Sequence, residues 1–366
     1  AVGGGFSANG VRSNGQNNFL LNGVDNNVNV IDFLNQTAYV VGPSVEAIGE
    51  MRVMTNGYNA EYGRGAGGVI NVTIKSGTNQ VHGSVFEYFQ NGELNANRWE
   101  NNRNAKARGA YGQNQFGAAV GGPLIKNRTF WFGDYQGTRI HSTGGAVQGL
   151  GASGTYTIPM PEYRNGDFSR LLGGVIGTDN GQTVNSGMLF DPTTLRCLTN
   201  CTGLGNTQTF TKTPFAGNRI PVSRFDPAAK KMMDLFPSPN VAGLPATGFA
   251  RNNFFYATNG NQQVNQFDIR MDHRLSDKDS LFGSVSWSNS NKFNAPPLPG
   301  ALDSTAFNSN AESTQARNAM LSWTRVWNPT VISETRVAFT RLVTARTQAN
   351  PNTDQYTAFG IKGYNP

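Results

Sequence analysis

Between Val264 and Leu275 the chain alternates: Phe267, Ile269 and Met271 are apolar, while Asp268, Arg270 and Asp272 are charged. A period of two predicts a β-strand with one apolar and one polar face. The segment Leu281 to Asn289 repeats the pattern, setting Leu281, Gly283, Val285 and Trp287 against Phe282, Ser284, Ser286 and Ser288. Further on, Ala319, Leu321 and Trp323 recur at a spacing of two, and Thr335, Val337 and Phe339 stand opposite Glu334 and Arg336. Weaker alternation over 83–91, 113–122 and 128–138 brings the expected number of strands to about seven, of roughly the 9–11 residues that cross a bilayer at a tilt.

Residues 1–80 follow a different pattern. Short apolar pieces (Phe19 to Leu21, Val28 to Leu34, Ile48 to Met54) are separated by Asn/Gly turns. A small mixed α/β unit is expected, with Ser44 as N-cap ahead of Val45-Glu46-Ala47-Ile48. Its last element, Val69 to Lys75, is rich in β-branched residues and reads as a strand. The predicted domains are therefore 1–80 and 81–366.

The connections between strands sort by length. Short links fall at 123–127, 276–278 and 327–330, and long ones at 92–112, 139–263 and 291–315, in strict alternation. A soluble β-sandwich also alternates along its strands, but nothing in it sorts loops this way. Outer-membrane barrels do, with short periplasmic turns and long external loops. The fold class expected is thus mainly β: a small α/β domain followed by an incomplete antiparallel transmembrane barrel. Seven strands do not close a barrel of large radius, so an open arc with two edges is expected. The apolar residues of the four clearest strands should face outward, and Asp268, Arg270, Asp272, Ser286 and Glu334 inward. Within 139–263, a stretch too long for a bare loop, Lys230 to Phe236 reads as a short helix stopped by Pro237. The rest is expected to fold as an external cap.

Composition narrows the classes. With 44 glycines and only 14% charged residues the chain is unlike a helical globular protein, and 11% aromatics argue against disorder. The net charge of +7 is spread without a basic run, so no nucleic-acid partner is expected. No apolar stretch approaches the roughly 18 residues of a membrane helix, which says nothing against barrel strands. The start at Ala1, the absence of a leader and the polar end at Pro366 are read as signs of a piece of a longer or processed protein.

Candidate chemistry is sparse. Gly63 to Gly68 matches G-x-G-x-x-G, but a strand rather than a helix follows it, so turn glycines with positive φ are expected there instead of a nucleotide site. Asp25, Asn27 and Asn29 begin like a calcium loop, yet Val30 and Gln36 occupy the positions that need Gly and Glu, leaving a polar turn. Asp191 to Thr194 and Arg164 to Asp167 are turn chemistry. Cys197 and Cys201 are the only cysteines and lie far in sequence from His82, His141 and His273. A small disulfide loop in an oxidising compartment is expected, with free thiols as the alternative. No Gly-x-Ser-x-Gly elbow or paired-carboxylate groove is visible, so no enzyme, catalytic residue, metal or cofactor is expected. The aromatics Trp131, Phe132, Tyr135, Trp287, Trp323, Trp327 and Phe339 suit either core or interfacial girdle, and Trp323 and Trp327, beside a short turn, suit the girdle.

Several segments resemble TonB-dependent outer-membrane receptors. Phe19 to Asn26 resembles the plug strand that ends in Asp-Gly-Val, with Asn22 where Asp is usual. Ser44 to Val53 is similar to the plug's helix-to-strand element, and Asn59 to Val72 to the signature that ends the plug. The signature positions are Gly23, Asp25, Tyr62, Gly63, Gly67, Gly68 and Asn71. Lys75 to Asn79 with His82 to Ser84, and Pro214 to Pro221, Asp226-Pro227 and Phe236 to Asn240, resemble the Oar-like branch. The resemblance implies the C-terminal part of a plug followed by the first strands of a barrel of about 22. A TonB box, an upstream carboxypeptidase-like domain and a C-terminal assembly strand are not found in the sequence. It also implies uptake of an unidentified extracellular substrate, energised by a TonB complex acting through an upstream segment, in an outer membrane whose lipid surrounds the barrel. The alternative is a surface-binding or adhesion β-protein without transport.

Overall fold

In a computed structural model, described here for residues 17–28, 38–65, 67–97, 99–103, 107–146, 149–202, 208–246, 249–298, 302, 311–348 and 354–363, the chain forms two compact units. One comprises Ala1–Gly151, Asn259–Ala295 and Thr305–Gln348; the other comprises Ala152–Thr258, Pro296–Ser304 and Ala349–Pro366. Most of the apolar piece Val28 to Leu34, and Asn29 to Gln36 of the calcium-like stretch, lie outside the described residues.

The first unit contains a small sheet and a large one. The small sheet has β1 (Asn18–Leu21), β2 (Val24–Asp25), β3 (Ile48–Met54) and β4 (Val69–Ile74) in the order β2-β1-β4-β3. β1 runs parallel to β4, and the other pairs are antiparallel. Asn22 (φ +52) and Gly23 (φ +79) join β1 to β2 in a two-residue turn, the geometry for which Asn-Gly is suited. Ser44 does cap the next element, its hydroxyl accepting the Ala47 N–H at 3.1 Å, but this is a single 3-10 turn over Val45–Ala47.

The large sheet is antiparallel and has seven strands. These are β5 (His82–Asn91), β6 (Tyr111–Ile125), β7 (Thr129–Thr143), β16 (Asn259–Arg274), β17 (Asp279–Asn294), β18 (Ala311–Asn328) and β19 (Val331–Thr347), with helix α1 (Trp99–Arg103) between β5 and β6. Consecutive strands pair, and β7 pairs with β16 across the long connection; β5 and β19 are the edges of an open sheet. The number of strands and the alternation of short and long links agree with the sequence pattern. The lengths do not: β6 to β19 of this sheet run 15 to 18 residues. Above the alternating stretch the strands continue through Gln262-Gln263 and Asn289 to Asn291, polar on both faces, where hydrogen bonding persists but a hydrophobic period cannot show. The long connection accordingly shrinks to 144–258.

The core of this unit lies between the two sheets. Leu21, Val41, Ala47 and Ile74 from the small sheet side pack with Ala119, Phe132 and Ala316 from the large one. Phe132, one of the aromatics that suited either role, is therefore core. At Gly77 a Cβ would lie 2.3 Å from the Trp131 carbonyl oxygen and 2.6 Å from that of Gly122, so the exit from β4 passes close to the β6–β7 backbone.

The second unit is built from hairpins and turns. β8 (Ser153–Tyr156) pairs with β15 (Phe254–Ala257), β9 (Val175–Asp179) with β10 (Gln182–Asn185), β11 (Arg196–Thr199) with β12 (Thr209–Thr211), and β13 (Leu244–Ala246) with β14 (Phe249–Arg251). Helix α2 (Pro227–Leu235) starts at Asp226, whose carboxylate accepts the Ala228 and Ala229 N–H groups, and ends ahead of Pro237; α3 (Gln355–Phe359) is a short helix near the end of the chain. Cys197 and Cys201 are joined by a disulfide, with Cα atoms 5.7 Å apart. Opening so small a loop removes about 2 kcal/mol of denatured-state constraint. The expected result of reduction is faster amide exchange in β11 and β12 and unchanged exchange in the seven-stranded sheet, readable by mass spectrometry.

Two carboxylates of this unit are held below their ordinary range. Arg224 beside Asp191, together with Thr193, keeps the Asp191 carboxyl low. Hydrogen bonds from Ser169, with Arg219 at 3.0 Å, bring Asp167 down to about 2. A carboxyl lowered in the folded state contributes stability that is present above its unfolded value, near 3.9, and is lost as pH falls toward the folded value. The turns at Asp167 and Asp191 should therefore be unchanged from pH 7 to about pH 5 and loosen between about pH 4 and pH 2, as followed by amide exchange at 167–171 and 191–195.

Candidate plug and wall interface

The two faces of the seven-stranded sheet differ in chemistry because alternate residues point to opposite sides. One face carries Ile269, Met271, Val285, Leu321, Val337 and Phe339, all exposed. Along β18 this apolar band is bounded by Arg317 and Arg325, eight residues apart, or about 26 Å of strand at about 3.3 Å per residue. Its borders carry aromatic rings with polar handles. Trp323 Nε1 donates to Asp279 at 3.1 Å and Trp327 Nε1 to Ser333 at 2.9 Å, beside the short turns. At the opposite border the Tyr135 hydroxyl donates to Asn265 at 2.9 Å, and Phe267 stacks on Trp287 with ring centroids 5.5 Å apart.

The other face meets the small sheet, largely through polar side chains. Asn22 uses both ends of its amide: Nδ2 donates to Ser284 Oγ at 3.0 Å, and Oδ1 accepts the Ile74 N–H at 2.9 Å. The Ser44 hydroxyl, besides capping its turn, donates to Asp134. Asp134 and Asp268 are directly opposite each other on β7 and β16, and Ser286 follows on β17. Arg270 donates to the Ile74 carbonyl at 2.9 Å, pairs with Asp272 at 2.8 Å and lies over the Phe282 ring. Asp272 also accepts the Ser76 hydroxyl at 2.7 Å. Farther along, Arg336 and Thr340 donate to the carbonyls of Gly23 and Asp25. The residues expected to point inward, Asp268, Arg270, Asp272, Ser286 and Glu334, all belong to this face.

The signature positions gather around β1 and β4. Asn71 Oδ1 accepts the Gly23 N–H at 3.1 Å, Arg64 pairs with Asp25, the Gly63 carbonyl accepts from Asn18 Nδ2 at 2.9 Å, and the Gly68 N–H donates to Asn17 at 2.9 Å. Gly67 is buried next to β4, while Tyr62 is half-buried in the loop before it, its N–H on the Asn59 carbonyl. One expectation needs correction: the left-handed residue here is Arg64 (φ +75), and Gly63 keeps an ordinary φ. The guanidinium that pairs with Asp25 holds the non-glycine residue there. Asp25 itself accepts from the Asn27 backbone at 2.9 Å and side chain at 2.7 Å, forming a polar turn. Among the described residues no group of three or more His, Cys, Asp or Glu side chains is arranged to hold a metal. Two pieces of this interface escaped the sequence reading: the second role of Ser44, and Asp134. Asp134 is inward by the alternation of β7, but the flanking Phe, Trp and Gly of that strand obscure the period.

A family model described as an outer membrane beta barrel domain matches residues 73–366. The chain belongs to this outer-membrane β-barrel family. The protein is accordingly one of the bacterial outer membrane, and the exposed apolar band is the face it turns to lipid. A stretch of 100 residues is 37% identical to the TonB-dependent transporter Oar of Myxococcus xanthus, covering 25% of this chain and 9% of that protein. Among solved structures, the outer membrane transporter YddB from Escherichia coli matches 90% of this chain and 40% of its own, at 10% identity and a TM-score of 0.35. The siderophore receptor PirA from Acinetobacter baumannii matches 94% and 52%, at 13% identity and a TM-score of 0.23. The barrel chain therefore spans only part of the length of each relative, and these relatives are transporters and receptors.

Proposed function

We propose that this chain is the plug-bearing part of an outer-membrane receptor that takes up an extracellular substrate when a TonB complex pulls on the plug. Residues 1–80 act as the plug, and the seven strands of the large sheet within 81–366 as the barrel wall. The observation that supports the reading is the kind of contact between them: a compact four-stranded sheet held to the wall by single hydrogen bonds at Asn22, Ser44, Ser76 and Ile74 around a small apolar centre. Such contacts are exchanged for water at a net cost of about 0.5–1.5 kcal/mol for the neutral Asn22–Ser284 bond and about 1.5–3 kcal/mol where a charged side chain takes part, so a mechanical load is able to displace the unit without unfolding the wall. No covalent chemistry is assigned to any residue. The partners are membrane lipid, the TonB complex and a substrate of unidentified class.

The test needs no substrate. Ala47 is fully buried between plug and wall, and Ala47→Cys changes the packing little. In energised cells a maleimide should label Cys at this position, and labelling should fall several-fold when the proton gradient is collapsed or TonB is deleted. Labelling that is equally slow in all three states would contradict energised movement and favour a surface-binding barrel with a static plug.

A further inference from the structure

The lipid-facing side of the wall carries one row in which like charges meet. Trp287, Arg317 and Arg341 are successive cross-strand partners on β17, β18 and β19. Both arginines are exposed and point outward, with their sequence neighbours Ala316, Asn318 and Leu342 turned to the plug side. Side chains directly opposite in an antiparallel pair have Cβ atoms about 4.5–5.5 Å apart, and like charges so placed repel. Among the described residues neither arginine pairs with a carboxylate; Arg317 donates only to Gln315, at 3.2 Å. The next outward row toward the long connections is Gly137, Asn265, Asn289, Gln315 and Val343, and the acid of that row, Glu87, lies on the far edge strand. The rows on the other side are apolar, with Phe339 beside Ala319 and Val337 beside Leu321.

We propose that Arg317 and Arg341 together bind the phosphate of an anionic lipid headgroup in the leaflet on the long-connection side of the membrane. Two planar guanidinium groups offer paired N–H donors to phosphate oxygens, a geometry in which arginine excels. The phosphate relieves the repulsion across the strand pair, and the acyl chains lie along Phe339, Leu321 and Val337. Trp287 closes the row at headgroup depth, where an indole is favoured. The site rests on the outward face and the band, not on energised transport, so it stands or falls separately from the proposed uptake.

Native mass spectrometry of the full chain released from neutral detergent micelles reads the result. With dioleoyl phosphatidic acid added, one lipid should remain bound, and Arg317→Gln with Arg341→Gln should lower its retention at least about tenfold. Arg52→Gln, on the exposed side of the plug, should leave retention unchanged. Diacylglycerol should not be retained, and millimolar inorganic phosphate should not displace the lipid. A second readout guards against misfolding: in neutral micelles the double variant should unfold at the same or a higher temperature than the parent, and only phosphatidic acid should reverse that order. Equal retention by the double variant, equal retention of diacylglycerol, or displacement by inorganic phosphate would each overturn the proposal.

Discussion

Arg270→Ala should detach the end of β4 from the wall. The Arg270 guanidinium satisfies the Ile74 carbonyl, neutralises Asp272 and covers Phe282, and its side chain is only 12% exposed, that of Asp272 22%. Truncation leaves a largely buried carboxylate without its cation, a loss of about 3–5 kcal/mol. At about 1.4 kcal/mol per factor of ten in an equilibrium, local opening of residues 69–76 should rise more than a hundredfold, as read by amide exchange or by protease access to the plug. Arg52→Ala removes an exposed pair with Glu50 and should change opening by less than about 0.5 kcal/mol. Comparable behaviour of the two variants would mean that plug and wall are not joined through Arg270.

Ile269→Arg should destabilise the barrel in lipid by about 2–4 kcal/mol, because it places a charge in the middle of the apolar band. Gln263→Arg lies on the same face of the same strand, six residues toward the long connection and beyond the Phe267–Trp287 row, and should cost about 0–1 kcal/mol. Urea titration of folding into phospholipid vesicles measures both. The contrast between the two, rather than either value, locates the membrane along β16.

How much of this was legible follows from where two patterns coincide. In β16 and β17 one face meets lipid and the other meets the small sheet, so apolar and polar residues largely alternate, with Phe282 the exception, and the orientation of the faces could be read from Phe267 to Asp272 and from Leu281 to Ser288. In β6 the small residues Gly117, Ala118, Ala119, Gly121 and Gly122 fill both faces, and the period fades. Beyond the membrane both faces are wet, which hid the extra length of every long strand. The turn at Asn22-Gly23 was visible as a turn, but its contact with Ser284 joins residues 262 apart in sequence and leaves no local trace. The same holds for Ser44 with Asp134. The Arg317–Arg341 pair was equally hidden, since it becomes a pair only when β18 and β19 are in register.

The central claim is that the wall has one lipid face and one plug face. The most direct test is a nitroxide scan of residues 264–274, one label at a time, with the protein in phospholipid bilayers. Oxygen, which concentrates in the hydrocarbon, should relax labels at 267, 269 and 271 strongly and those at 268, 270 and 272 weakly, with a period of two. An alternation of the opposite phase, or uniform accessibility along the strand, would contradict the account.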